Sequence, residues 1–344
     1  MNPFNTILYD ENIRRQISLT RNKNGLRRSS LTVLREHDLE YAKRFENAFL
    51  RLSSNDLGKL RQATQFNTER LTEFRSVIES LGRSSFRVFS DAINPDLDQL
   101  TIDEFAFQEN LVRFAAAETE TRLPVIKSAT NAKLRRYRSL EPMVDTTQDD
   151  FLRNWAAGRS DKVLRAVRRG LKRGLNQEEI LRSIYGTQRR FSGILKATHQ
   201  GAGLASNTLH VSATSAANCA FVSLNDGFDL LVSAILDSGS SKICVSNHNQ
   251  FVFEDLEGDR SPYHPNCNTR VFVYMSGDEP PARESFMVWW DRQTDEVKLE
   301  FLGRTRFEAQ QENPERFRDP RIFISTEGDN FITIDELRDT GVLG

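Results

Sequence analysis

Residues 31–52 read LTVLREHDLEYAKRFENAFLRL. Leu31, Leu34, Asp38, Tyr41, Phe45, Ala48 and Leu52 recur at three- and four-residue spacing, which sets them on one face of a helix. Ser53-Ser54-Asn55-Asp56 then interrupts the pattern and supplies side-chain acceptors suited to a helix N-cap. A second seam follows at Leu60, Ala63, Asn67, Leu71, Phe74, Ile78 and Leu81. Two apolar stripes joined by a short polar break predict an antiparallel helical hairpin. Such a hairpin packs within a bundle or grips a partner as a coiled-coil arm; the polar Asp38 and Asn67 shorten any clean heptad run and favour the bundle.

Outward from this seam, roughly residues 9–122 read as helix. Asn94-Pro95 predicts a break, because proline disfavours helix in the residue before it. Thr101-Ile102-Asp103-Glu104 fits a capping box that opens a new helix towards Leu123-Pro124. Residues 125–147, with the basic cluster Lys133, Arg135, Arg136 and Arg138, read as an exposed connector and a domain boundary. Beyond it, Val163, Leu164, Val167 and Leu171 form an apolar stripe, and Lys162, Arg165, Arg168, Arg169, Lys172 and Arg173 cover the rest of that helix. Asn176 and Glu179 cap the next helix, 177–185, which Gly186 ends. A small-residue helix at 205–225 precedes two β-like runs, 228–236 and 270–274. The fold expected is α+β and mostly α-helical. It comprises an N-terminal helical bundle or hairpin (1–124), the basic connector (125–147), a small mixed α/β domain (148–275) and an acidic C-terminal region (276–344).

Composition narrows the function classes. The 344 residues carry a formal net charge of −1, so the whole chain offers no argument for a polyanionic partner. The charge is unevenly spread, however: residues 127–200 sum to about +10 and residues 276–344 to about −7. The middle therefore suits a phosphate backbone. No apolar run approaches the ~18 residues of a membrane helix, so no membrane partner is expected. Met1–Asn5 lacks the basic and apolar regions of a signal peptide, and synthesis in a cytoplasm is expected. Three cysteines, an odd number, argue against a disulfide scaffold.

Between the two strands lies the segment with chemistry in it. Cys244 and His248 stand at C-x3-H spacing, and His264 and Cys267 at H-x2-C spacing. Three readings stay open: a tetrahedral zinc site built from Cys244, His248, His264 and Cys267, a Cys244–Cys267 disulfide, or two small thiols packing a loop shaped by His264-Pro265. Zinc is thus the single cofactor in question. A thiol–imidazole enzyme has the right residue types here, but no nucleophile elbow and no orienting carboxylate at a known spacing accompany them. Phe286, Trp289 and Trp290 lie in the acidic region and are candidate interface residues. Adjacent tryptophans on a helix point about 100° apart, so one of the two is expected at an interface.

The same segment resembles the signature of the phage Mu F-like head morphogenesis family, which typically reads Leu-Asp-x-Arg-Thr, then Ile-Cys-x-x-x-Asp-Gly, and later Pro-Pro-x-His-Pro-Asn-Cys-Arg-Cys. Asp237, Cys244, Pro262, His264, Pro265, Asn266 and Cys267 match it. Gly239, His248-Asn249 and Asn268-Thr269 depart from it, and the last of these removes the family's final cysteine. Residues 167–171 and 174–180, Ser192-Gly193-Ile194-Leu195, Trp289–Gln293, Leu302–Arg306 and Ile332–Leu337 follow in the family's order, so the resemblance covers about residues 160–340. It implies a structural, non-enzymatic minor head protein in the virion, inside the head near the portal, and in the host cytoplasm during assembly. Implied partners are the portal protein, the major capsid protein or other head components, further copies of the chain, and packaged DNA bound without sequence preference. The alternative is an internal virion protein ejected with the DNA. The residues expected to meet DNA are Arg135, Arg136, Arg138 and the six cations of 162–173.

Overall fold

The computed structural model describes residues 2–62, 68–140, 142–143, 146–187, 190–234, 270–279 and 286–317, together with Cys244, His248, 251–252, Pro262, Cys267 and Thr269. Among them 78% are helical and one three-stranded antiparallel sheet is present, so the chain is a mostly α-helical α+β protein.

Helix α1 spans Pro3–Leu50, α2 Ser54–Arg61 and α3 Glu69–Glu118. The break after α1 falls where the polar run predicts it. Ser53 Oγ accepts from the Asp56 N–H, and the Asp56 carboxylate accepts from the Ser53 N–H, so the start of α2 is capped reciprocally. Pro95, by contrast, breaks nothing, and α3 runs through it to Glu118. An interior proline costs a helix about 3 kcal/mol. Phe89, Ile93 and Leu97 flank it and are fully buried, each side chain returning roughly 1.5–3 kcal/mol, which outweighs that cost. Thr101–Glu104 is accordingly not a capping box but helix interior. Thr101 donates to the Ala213 carbonyl, and the buried Glu104 carboxylate accepts from Arg15 at 2.9 Å.

The residues form two compact units, each assembled from separated stretches: Met1–Asn24, Leu100–Arg138 and Val211–Gly344 in one, Gly25–Gln99 and Ser139–His210 in the other. This differs from the consecutive division expected at 124, 147 and 275. Long helices are the reason: α1, α3 and α7 (Gly193–Leu224) each supply residues to both units.

The Gly25–Gln99/Ser139–His210 unit is built on the two predicted seams, of which Ala63 and Asn67 lie outside the described residues. Tyr41, Phe45, Phe49, Leu71, Phe74, Ile78 and Leu81 form one buried cluster with Val163 and Val167 of α5 (Gln148–Lys172) and Ile180 and Ile184 of α6 (Gln177–Tyr185). The Phe74 ring lies 5.4 Å from those of both Phe45 and Phe49, which closes the hairpin with aromatic contacts. The α6 cap is the predicted one: Asn176 accepts from the Glu179 N–H and the Glu179 carboxylate accepts from the Asn176 N–H. Gly186, at φ 91°, ends the helix in a conformation that favours glycine. Gly170 lets α5 approach α6 closely, since a Cβ there would stand 2.6 Å from Ile180 Cγ1. Short antiparallel pairs, β1 (Pro142–Met143) with β2 (Thr146–Thr147) and β3 (Gly186–Thr187) with β4 (Arg190–Phe191), flank these helices in sequence.

In the other unit, β5 (Phe228–Ser233) is the central strand between β6 (Phe251–Val252) and β7 (Arg270–Met275). The two predicted strands pair antiparallel, with Phe228 opposite Met275 and Ser233 opposite Arg270; the short β6 is an addition from within the connecting segment. Phe228 and Val273 pack with Phe4 and Leu8 of α1, Phe105 and Val112 of α3, and Ala217 and Phe221 of α7. Where an exposed connector was expected, Asn131–Leu140 forms helix α4, whose Leu134 joins this core. Helices α8 (Phe286–Asp291), α9 (Asp295–Leu302) and α10 (Arg304–Glu312) follow.

Candidate functional site

Helix α5 sorts its side chains sharply. Thr147 caps its start, Val163, Val167 and Gly170 are buried on one side, and Lys162, Arg165, Arg169, Lys172 and Arg173 are exposed on the other. At 100° per residue the five cations occupy about 100° of the circumference. Among the described residues none of the five sits in an ion pair; Arg165 Nε donates to the Asp161 carbonyl. Arg168 is half-buried at the edge of this face. In the other unit, Lys133, Arg135 and Arg136 of α4 are exposed, but Arg138 is buried at 8% exposure. Arg138, expected to meet DNA, instead points inward: on α4 it faces the same way as the buried Leu134, one turn earlier.

One turn before the cationic face, α5 carries a cation of the opposite kind. Arg159 is 1% exposed and its guanidinium pairs with the fully buried carboxylate of Asp38. It also donates to Ser85 Oγ at 2.8 Å and to Thr198 Oγ1 at 3.4 Å, and lies over the Trp155 ring. His37 Nδ1 and His199 Nδ1 approach the Asp38 oxygens at 3.4 and 3.8 Å. Burial alone would raise the Asp38 pKa. The nearby imidazoles of His199 and His37, with the charge and hydrogen bond of Arg159, outweigh it and hold the carboxyl at about 2. Ser84 Oγ lies 2.8 Å from His37 Nε2, so Ser84, His37 and Asp38 have the residue types of a hydrolase triad. Ser84 Oγ also lies within hydrogen-bonding distance of the Ser80 and Leu81 carbonyls, at 2.7 and 3.3 Å, and Asp38 is committed to Arg159. Sequence reading did not single out Arg159. The signal was Asp38, a charge inside an apolar seam, which requires a buried cation opposite it.

The cysteine segment is partly described. Cys244 and Cys267 are thiols not joined by a disulfide, 3% and 0% exposed, with sulfurs 3.7 Å apart, and both pack on Ala234 at the end of β5. Pro262 is buried. Asp237, His264, Pro265 and Asn266 lie outside the described residues. His248 is buried, and its Nδ1 accepts from the Ala234 N–H at 3.0 Å, so the neutral ring carries its proton on Nε2. A ring in that state offers a metal no lone pair, and among the described residues no three His, Cys, Asp or Glu side chains come together to hold one. Three residues beyond Cys267, Arg270 is buried. It donates to Thr214 Oγ1 at 2.6 Å, and burial pulls its pKa down to about 10, against the opposing charges of Glu104 and Cys267.

On α8, Trp290 is 1% exposed and so belongs to a core rather than an interface, while Val288 is exposed. The side chains of Phe286 and Trp289 lie outside the described residues. No helix of the described residues is long and apolar enough to cross a membrane. Compared with known protein families, curated proteins and solved structures, the chain matches none.

Proposed function

We propose that this chain is a structural head protein of a tailed phage, acting beside the portal in head assembly and DNA packaging or exit, with the outer face of α5 turned to the phosphate backbone. The observation that carries the DNA contact is the set of five exposed cations on that face, in no ion pair among the described residues, in a chain of net charge −1. Each phosphate they neutralise releases counterions, which gives binding without sequence preference. The head location rests on the order of the motifs from about residue 160 onward, with Pro262–Cys267 as the sharpest of them. The role proposed is structural, as the order of these motifs implies.

Protein composition of purified particles tests this. The chain is expected in assembled heads at low copy and is expected to remain on heads emptied of DNA. Its absence from heads overturns the proposal. Departure together with the DNA replaces the portal role with that of an ejected internal protein.

A further inference from the structure

The connection from β5 to β7 brings Cys244 and Cys267, 23 positions apart in sequence, into direct sulfur contact at 3.7 Å inside the protein. A disulfide requires sulfurs about 2.05 Å apart, so rotation of both side chains need move each sulfur by less than about 1 Å. Thr269 and Arg270, immediately after Cys267, are buried, and β7 is hydrogen-bonded along its length to β5, whose end carries Ala234 against both thiols. One partner is therefore held by the sheet. Closing the bond would tie the other covalently to the residue that leads into β7.

We propose that Cys244 and Cys267 form a redox-active dithiol that closes to a disulfide by exchange with a small-molecule disulfide. The Cys267 thiolate attacks one sulfur of the reagent, its S–S bond breaks, and one small thiolate leaves as a mixed disulfide forms on Cys267. Cys244 then loses its proton, attacks the Cys267 sulfur and expels the second small thiolate. The two released protons leave with these as two small thiols, so two protein thiols are oxidised and one small disulfide is reduced. A reducing compartment keeps the pair open, and an oxidising medium staples it. The inference stands independently of the head-protein reading.

The test uses the full chain and oxidised glutathione. After incubation, unfolding and alkylation, three modifiable thiols are expected to fall to one, Cys219, with the loss of two hydrogens from the intact mass. A non-reducing peptide map is expected to join the Cys244 and Cys267 peptides. Oxidation is expected to raise Tm by roughly 5 °C or more, because closing a loop of this size restrains the unfolded chain. Cys219→Ser is expected to preserve the exchange and Cys244→Ser to abolish it; the map on the unaltered chain decides the matter even where a variant fails to fold. Three thiols persisting in oxidised glutathione, a glutathione adduct that never resolves, a bond to Cys219, or zinc bound one per chain through these thiols would each overturn the proposal.

Discussion

The two halves of α5 treat positive charge in opposite ways. In the first half Arg159 is buried and answered by Asp38, two hydroxyls and an aromatic ring; in the second, five cations face outward with no carboxylate within ion-pairing distance among the described residues. Burying a charge costs several kcal/mol unless it is paired, so the first half shows what this fold does with a cation it needs internally. The second half leaves its cations where solvent or a polyanion can answer them. Charge on this helix thus divides into a part that organises the unit and a part available to a partner.

The largest expected effect breaks the first half. Asp38→Ala strands Arg159 without its counter-charge and is expected to destabilise the protein by about 3–5 kcal/mol in denaturant unfolding. The double change Asp38→Leu with Arg159→Met removes both charges and is expected to recover most of that loss. Equal destabilisation by the single and double changes would show that packing, not charge, is what the pair supplies.

Acid titration comes next. The Asp38 carboxyl is held at about 2, below its ordinary value of 3.8. Its contribution is therefore fully present above about pH 4 and is lost as pH falls through about 2, roughly 2 kcal/mol in all. Tm measured between pH 5 and pH 2 is expected to fall more steeply in the unaltered chain than in the Asp38→Leu, Arg159→Met double variant. Parallel curves would mean that the carboxyl titrates normally.

The regions differ as well in how far they could be read from sequence. Local signals were legible: the seams of 31–52 and 60–81, the reciprocal cap of Asn176 and Glu179, the glycine stop at Gly186, and the strands at 228 and 270 all depend on neighbours in the chain. Long-range compensation was not. Pro95 sits inside a helix because buried side chains around it outweigh its local cost, and Arg138 turns inward because Leu134 fixes which face of α4 meets the core. The partner of Asp38 is likewise 121 positions away, beyond any periodic pattern. Of the candidate site, the cationic face of α5 followed from helical spacing alone. The geometry of the Cys244–Cys267 pair required the sheet that brings the ends of its segment together.

The smallest effect on stability, within about 0.5 kcal/mol per site, is expected from replacing Lys162, Arg165, Arg169, Lys172 and Arg173 by alanine, because all five are exposed. The same variant gives the most direct test of the central claim, through its affinity for duplex DNA measured across a series of salt concentrations. If these side chains meet phosphates, log K for the unaltered chain falls against log salt with a slope of about −4.5, and the slope collapses towards zero in the five-alanine protein while its fold persists. An unchanged slope and affinity in the folded variant would contradict the account.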